Sequence, residues 1–152
     1  METIYSIGAL STGTGRDGHI RTDDAMLDLA MRAPKQLGGS GDGVNPEQFF
    51  AAGYAACFHS ALQVVGRKHK VTLTDSTVRA VVALVCPEPE IFQLAVKLTV
   101  SIPSLSHELA SQLADEAHQI CPYSNATRGN IEVTVDVVDE STAQAALSPS
   151  LS

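Results

Sequence analysis

The sequence predicts an α+β domain built as an antiparallel β-sheet with two helices. Three observations carry that prediction. Several segments alternate apolar and polar residues with the period of a strand, two others combine helix start signals with helical spacing, and the order of elements shows no internal repeat. At 152 residues the chain fits one domain, 1–152, able to bury about two thirds of the surface its unfolded state exposes.

Ile4 to Leu10 and His19 to Thr22 flank the turn-rich stretch Gly13 to Gly18, which predicts a hairpin with a wide loop. Leu27, Leu29 and Met31 then alternate with Asp28 and Ala30, a period of two. Pro34 to Gly43 is Gly-rich and lacks both the GxGxxG spacing and the Lys-Ser/Thr pair of a phosphate-binding loop, so it reads as a flexible connection. The first helix starts with Asn45 as N-cap, Pro46 at the first helical position and Gln48 completing a capping box. Its expected extent is to about Lys70. Phe49, Phe50, Tyr54, Phe58, Leu62, Val64 and Val65 surround it with small residues between, the pattern of a buried, central helix.

Thr77 to Val85 and Phe92 to Ile102 form a predicted hairpin around the turn Cys86-Pro87-Glu88-Pro89-Glu90, whose two carboxylates read as solvated. The second helix begins at Ser106, carries Leu109, Leu113, Ala117 and Ile120 at helical spacing, and ends near Cys121 because Pro122 disfavours helical geometry before it. Ile131, Val133, Val135 and Val137 alternate as a last half-buried strand, and 141–152 reads as a frayed tail.

Composition excludes several function classes. The net charge of -7, with ten scattered Lys and Arg, gives no basic patch for nucleic acid. The N-terminus lacks the basic and apolar regions of a secretory signal, and the longest apolar run, Ala80 to Cys86, is far too short to span a membrane. A cytoplasmic protein is expected, in which three cysteines are free thiols rather than a disulfide framework. Asn125-Ala126-Thr127 is then a chance glycosylation sequon. The histidines do not suggest a metal: His59 lies on a different helix face from Cys57, and His107 and His118 are eleven residues apart.

Each thiol reads differently. Cys57 sits mid-helix in apolar surroundings, which raise a thiol pKa, so its reactivity requires a fixed cation; Arg16, Arg21, Arg32 and Arg128 are candidates that spacing does not separate. Cys121, at a helix C-terminus, is disfavoured as a thiolate by the macrodipole and better suited to condense with an oxidised partner. Cys86, in a Pro-rich turn, reads as a bystander.

Two long stretches, Asn45-Pro46-Glu47-Gln48-Phe49-Phe50-Ala51-Ala52-Gly53-Tyr54-Ala55-Ala56-Cys57-Phe58 and Cys121-Pro122-Tyr123-Ser124-Asn125-Ala126-Thr127-Arg128-Gly129-Asn130, closely resemble the signatures of the organic hydroperoxide resistance (Ohr) branch of the Ohr/OsmC family. The resemblance extends to Gly15-Arg16-Asp17-Gly18-His19 and to the chain up to about Val138, with Phe49 standing where Leu is more usual. It implies an intertwined homodimer of sheet wrapped around two central helices. It also implies an enzyme that reduces organic hydroperoxides, with Cys57 as peroxidatic thiol, Cys121 as the thiol that closes a disulfide with it, Arg16 as activating cation and Glu47 as the carboxylate holding Arg16. No bound cofactor is implied; the reductant implied is a dithiol of the dihydrolipoamide type, as on a lipoylated protein. Phe49, Phe50, Tyr54 and Phe58 are candidates for an apolar pocket wall suited to alkyl or fatty-acyl hydroperoxides.

Ten residues separate Glu47 from Cys57, about 15 Å along a continuous helix. One guanidinium cannot touch both, so either the helix breaks between them or Arg16 and Glu47 of one subunit meet Cys57 of the other. A composite site across a dimer interface is the expectation. The rivals are an OsmC-branch peroxidase, a cysteine hydrolase, which would need a His aimed at Cys57, and a non-catalytic carrier of apolar ligands, which would need neither thiol.

Overall fold

The computed structural model describes residues 1–139, so the tail 141–152 expected to be frayed lies outside the described residues. The chain divides into two compact units, Met1–Phe49 and Phe50 onward.

In the first unit, strands β1 (Ala9–Thr12), β2 (His19–Thr22) and β3 (Asp28–Ala30) form an antiparallel sheet in sequence order. The expected strand from Ile4 is realised only from Ala9. The wide loop between β1 and β2 turns at Gly13 and Gly15, both at positive φ, and a Cβ on Gly18 would lie 1.9 Å from the Thr12 carbonyl oxygen. Only glycine fits there, and Arg16 is carried at the tip of the turn it makes. The stretch Pro34 to Gly43 is a loop as expected, broken by one short 3₁₀ turn at Lys35–Leu37.

Helix α1 (Pro46–Lys68) begins as the sequence predicts. The Asn45 side chain accepts from the Gln48 amide at 3.0 Å, and the Gln48 side chain accepts from the Asn45 amide at 2.9 Å, a reciprocal box that satisfies two otherwise unpaired donors. The helix is not buried on all sides within the chain. Tyr54, Phe58, Leu62 and Val65 form its buried stripe, while Ala52, Ala56 and Ser60 are exposed. By length and composition alone α1 could cross a bilayer, although Gln48, His59 and Gln63 interrupt its apolar run. Its buried stripe instead belongs to the core of the second unit.

That unit pairs α1 and α2 (His107–Ile120) with a sheet of β4 (Thr77–Glu88), β5 (Ile91–Ser101) and β6 (Glu132–Val138). Alternate residues face the helices: Val78, Ala80 and Val82 from β4, Val96, Leu98 and Val100 from β5, Val133, Val135 and Val137 from β6. Leu113 and Ala117 of α2 meet them with no exposed surface. Truncating a buried leucine of this kind typically costs about 2–5 kcal/mol.

Three features of this unit depart from the sequence prediction. The first is that β4 runs on through Cys86 and Pro87 to Glu88, which pairs with Ile91, so the expected five-residue turn shrinks to Pro89 and Glu90. β4 and β5 are antiparallel, but β5 and β6 are parallel, so the sheet is mixed. The reason is the crossover: α2 and a third helix carry the chain back before β6 enters. That third helix, α3 (Pro122–Thr127), is additional to the two the sequence predicts. Pro122 ends α2, yet it also occupies the first turn of α3, where its missing N–H costs nothing. Cys121 is the joint, extended at ψ 122°.

Candidate functional site

The predicted catalytic residues fall into two pairs. In the first unit, Arg16 donates to Glu47 through two hydrogen bonds, Nη1 to Oε2 at 2.9 Å and Nη2 to Oε1 at 2.7 Å. A planar guanidinium meeting a carboxylate in this way is fixed in orientation and keeps outward-facing donors free. The Arg16 hydrogen bonds hold the Glu47 carboxyl below its usual range, and Glu47 in turn raises the guanidinium pKa further. Glu47 sits in the first turn of α1, where the helix dipole also favours its charge. The other candidate cations are committed elsewhere. Arg21 lies 3.6 Å from Asp28, Arg32 donates to the Gly18 carbonyl at 3.1 Å, and Arg128 donates to the His118 carbonyl at 2.6 Å.

In the second unit, Cys57 from the middle of α1 and Cys121 at the α2–α3 joint place their sulfurs 3.8 Å apart, both as free thiols. Cys121 has no exposed surface, whereas Cys57 is partly exposed and the more accessible of the two. Burial pushes the Cys57 thiol up, and proximity to the Cys121 thiol adds to that, while a hydrogen bond from the Tyr123 amide pulls it down. Taken together these groups hold the Cys57 thiol above its ordinary value. Cys86 is exposed in β4, its thiol turned to the Glu88 carbonyl.

Of the four aromatics expected along a pocket wall, Phe49 and Phe50 are half-buried, whereas Tyr54 and Phe58 are core members with no exposed surface. Phe50 and Tyr54 meet edge to face, and both meet the Tyr123 ring, at centroid separations of 5.6 to 6.1 Å. The Tyr123 ring lies close on α1 because Gly53 has no side chain: a Cβ there would come 2.8 Å from the Tyr123 hydroxyl.

The sequence reading missed a set of polar residues beside the thiols. The Tyr54 hydroxyl is 2.9 Å from Ser124 Oγ and 3.2 Å from Thr127 Oγ1, and His118 Nδ1 is 2.8 Å from Ser124 Oγ. Ser124 and Thr127 are buried. The available signal was a pair of hydroxyl residues three apart after Cys121, a spacing that puts both on one helix face.

The fold, with two free thiols 3.8 Å apart in the second unit and an Arg–Glu fork in the first, is that of an OsmC-like α+β protein. The chain belongs to the Ohr/OsmC family: the family model described as OsmC-like protein matches residues 39–136. Among relatives, it is 42% identical over 135 residues to an organic hydroperoxide resistance protein of Xanthomonas axonopodis pv. citri, covering 88% of this chain and 94% of that one. An organic hydroperoxide resistance protein from Elizabethkingia anophelis superposes with a TM-score of 0.86 at 48% identity, covering 92% of this chain and all of that one (100%). The OhrB protein of Bacillus subtilis superposes with a TM-score of 0.81 at 39% identity, covering 90% of this chain and 100% of that one.

Proposed function

We propose that the protein is a cysteine-based peroxidase that reduces organic hydroperoxides, alkyl or fatty-acyl, to alcohols. The observation that carries this reading is the 3.8 Å approach of two free sulfurs, one buried and one partly exposed. A disulfide needs about 2.05 Å, so a small movement at the Cys121 joint closes it. Relatives named for organic hydroperoxide resistance support the substrate class.

In the proposed cycle the Cys57 thiolate attacks one oxygen of the hydroperoxide. The O–O bond breaks, the released alkoxide takes a proton and leaves as alcohol, and Cys57 keeps an oxygen as sulfenic acid. The Cys121 sulfur then attacks Cys57, the S–O bond breaks, water leaves with the Cys121 proton, and the disulfide forms. A dithiol of the dihydrolipoamide type, presented on a lipoylated protein, returns both cysteines to thiols by exchange and departs as its own disulfide. Catalysis that runs through free thiols suits a reducing compartment, the cytoplasm.

The activating cation is Arg16, held by Glu47. Because α1 is unbroken from Pro46 to Lys68, Glu47 and Cys57 are about 15 Å apart along its axis. The reading is therefore a homodimer in which Arg16 and Glu47 of one subunit serve Cys57 of the other. The exposed Ala52 and Ala56 on α1 support it, as do Ile7, Leu10, Leu27 and Leu29 left open on the first unit.

The test is a thiol titration. One equivalent of tert-butyl hydroperoxide removes two of the three free thiols, and a Cys121→Ser protein stops at a sulfenic acid that a dimedone probe labels. Three thiols surviving the hydroperoxide would sink the proposal.

A further inference from the structure

Cys121 is bracketed by a hydrogen bond. His118 precedes it by three residues on α2 and Ser124 follows it by three on α3, and His118 Nδ1 and Ser124 Oγ are 2.8 Å apart. The bond therefore spans the joint between two helices that Pro122 separates. Ser124 Oγ also meets the Tyr54 hydroxyl at 2.9 Å, and Tyr54 precedes Cys57 by three residues on α1. A single buried hydroxyl thus ties both sides of Cys121 to the turn of helix just before Cys57.

We propose that His118, Ser124 and Tyr54 are positioning residues that hold the Cys121 sulfur over Cys57 and so set how fast the disulfide closes. This rests on the peroxidase reading above. The chain also has a direction. Thr127 Oγ1 contacts the Tyr123 and Ser124 carbonyls at 3.0 and 3.2 Å, and carbonyls only accept, so the Thr127 proton goes to them. The Tyr54 proton then serves Thr127, the Ser124 proton serves Tyr54, and the remaining contact needs a proton on His118 Nδ1. Only this order gives every contact a hydrogen. It makes His118 a donor from Nδ1, and in the neutral ring that leaves Nε2 bare. Burial and the nearby charge of Arg128 lower the His118 pKa, against the opposing charge of Asp115.

The arrangement matters because a sulfenic acid left waiting can react with a second hydroperoxide and become sulfinic acid, which a dithiol does not reverse. A resolving thiol held at 3.8 Å shortens that wait.

The experiment compares His118→Leu, His118→Asn and Ser124→Ala with the parent protein, mixing each with tert-butyl hydroperoxide in rapid flow. Hydroperoxide loss reports the first step, and mass spectrometry of quenched samples separates disulfide from sulfinic acid. His118→Leu and Ser124→Ala are expected to keep the first step while closing the disulfide about three- to tenfold more slowly, the worth of one neutral hydrogen bond. Sulfinic acid should rise to match. Asn places an amide donor where Nδ1 stood, so His118→Asn should recover most of the rate. Disulfide closure at the parent rate in both His118→Leu and Ser124→Ala overturns the proposal, and so does equal slowing of both steps, which marks general loss of packing. Nitrogen NMR of the unmodified protein checks the proton order without any variant: protonated Nδ1 and bare Nε2 are expected, and the opposite tautomer overturns it. A parent protein that loses no thiols to hydroperoxide removes the peroxidase reading and this inference with it, a result distinct from selective failure of the variants.

Discussion

The guanidinium of Arg16 and the carboxylate of Glu47 are joined by two parallel hydrogen bonds of 2.9 and 2.7 Å, from residues 31 positions apart in the chain. Two donors of one rigid group are satisfied by one carboxylate, so neither replacement keeps the geometry. Arg16→Lys retains the charge and loses the fork; Glu47→Gln retains the shape and loses the anion. Either is expected to lower kcat/KM for tert-butyl hydroperoxide by about 10- to 100-fold, the worth of one charge-assisted hydrogen bond. Steady-state assays with a lipoyl dithiol check it, and a twofold change or less would show that the fork does not orient the site.

The same pair has a defined acid limit. Glu47 is held below its ordinary value in the folded protein, so its contribution is complete above the unfolded carboxylate range and is lost as pH falls through the lowered folded value. Because Arg16 is partly exposed, solvent screening keeps the effect small. Glu47→Gln should therefore narrow its stability gap to the parent below about pH 4.5, near the unfolded carboxylate pKa, in urea melts repeated from pH 7 downward. A gap independent of pH would place the stabilising contact elsewhere.

Histidine burial acts in a higher window. His59 is lowered by burial beside Ser76 and Gln63, and His118 by burial and Arg128. A depressed folded pKa means the unfolded chain binds the proton more readily, so stability is full above the unfolded value and falls as pH drops below about 6.5. Melting temperatures taken from pH 7.5 to 5.5 should decline, and the combined His59→Gln and His118→Asn protein should decline less steeply. Parallel slopes would assign the pH dependence to other groups.

The capping box gives a purely structural test. Asn45→Ala removes one of two reciprocal bonds at the start of α1 and should cost about 1 kcal/mol. In the core, Ser101 Oγ is buried and has no hydrogen-bond partner among the described residues. Removing a hydroxyl that is desolvated without return should be neutral or stabilising by about 1 kcal/mol, so Ser101→Ala and Asn45→Ala should shift the urea midpoint in opposite directions. Destabilisation by Ser101→Ala comparable to that of Asn45→Ala would mean the hydroxyl is paired in solution.

Local signals explain how far the sequence could be read. The α1 start was legible because Asn45, Pro46 and Gln48 act within four residues of one another, and β4 and β5 because alternation is a property of each strand alone. The direction of β6 was not legible: alternation is the same in parallel and antiparallel strands, and direction is set by the crossover through α2 and α3. α3 itself was hidden because Pro122 both stops one helix and starts the next. Cys57, Cys121, Arg16 and Glu47 were named through motif resemblance, since spacing alone left four arginines equivalent. Tyr54 illustrates the remaining gap. As a sequence residue it is one more aromatic on an apolar helix, and only the turn of α3 brings Ser124 and Thr127 to its hydroxyl.

An unbroken α1 makes subunit mixing the decisive test of the proposed composite site. Cys57→Ser and Arg16→Ala proteins should each be nearly inactive, because each homodimer lacks one component in both of its sites. In a mixed dimer one site combines both defects and the other combines neither. Unfolding and refolding the two together in equal amounts yields half heterodimers, each with one intact site, so activity should return to about a quarter of the parent value. If Arg16 instead served Cys57 of its own chain, every site in the mixture would carry one defect, and refolding would recover nothing. Mixing Arg16→Ala with Glu47→Ala supplies the control: those two residues act from the same subunit, so every site in that mixed dimer is impaired and activity should stay low.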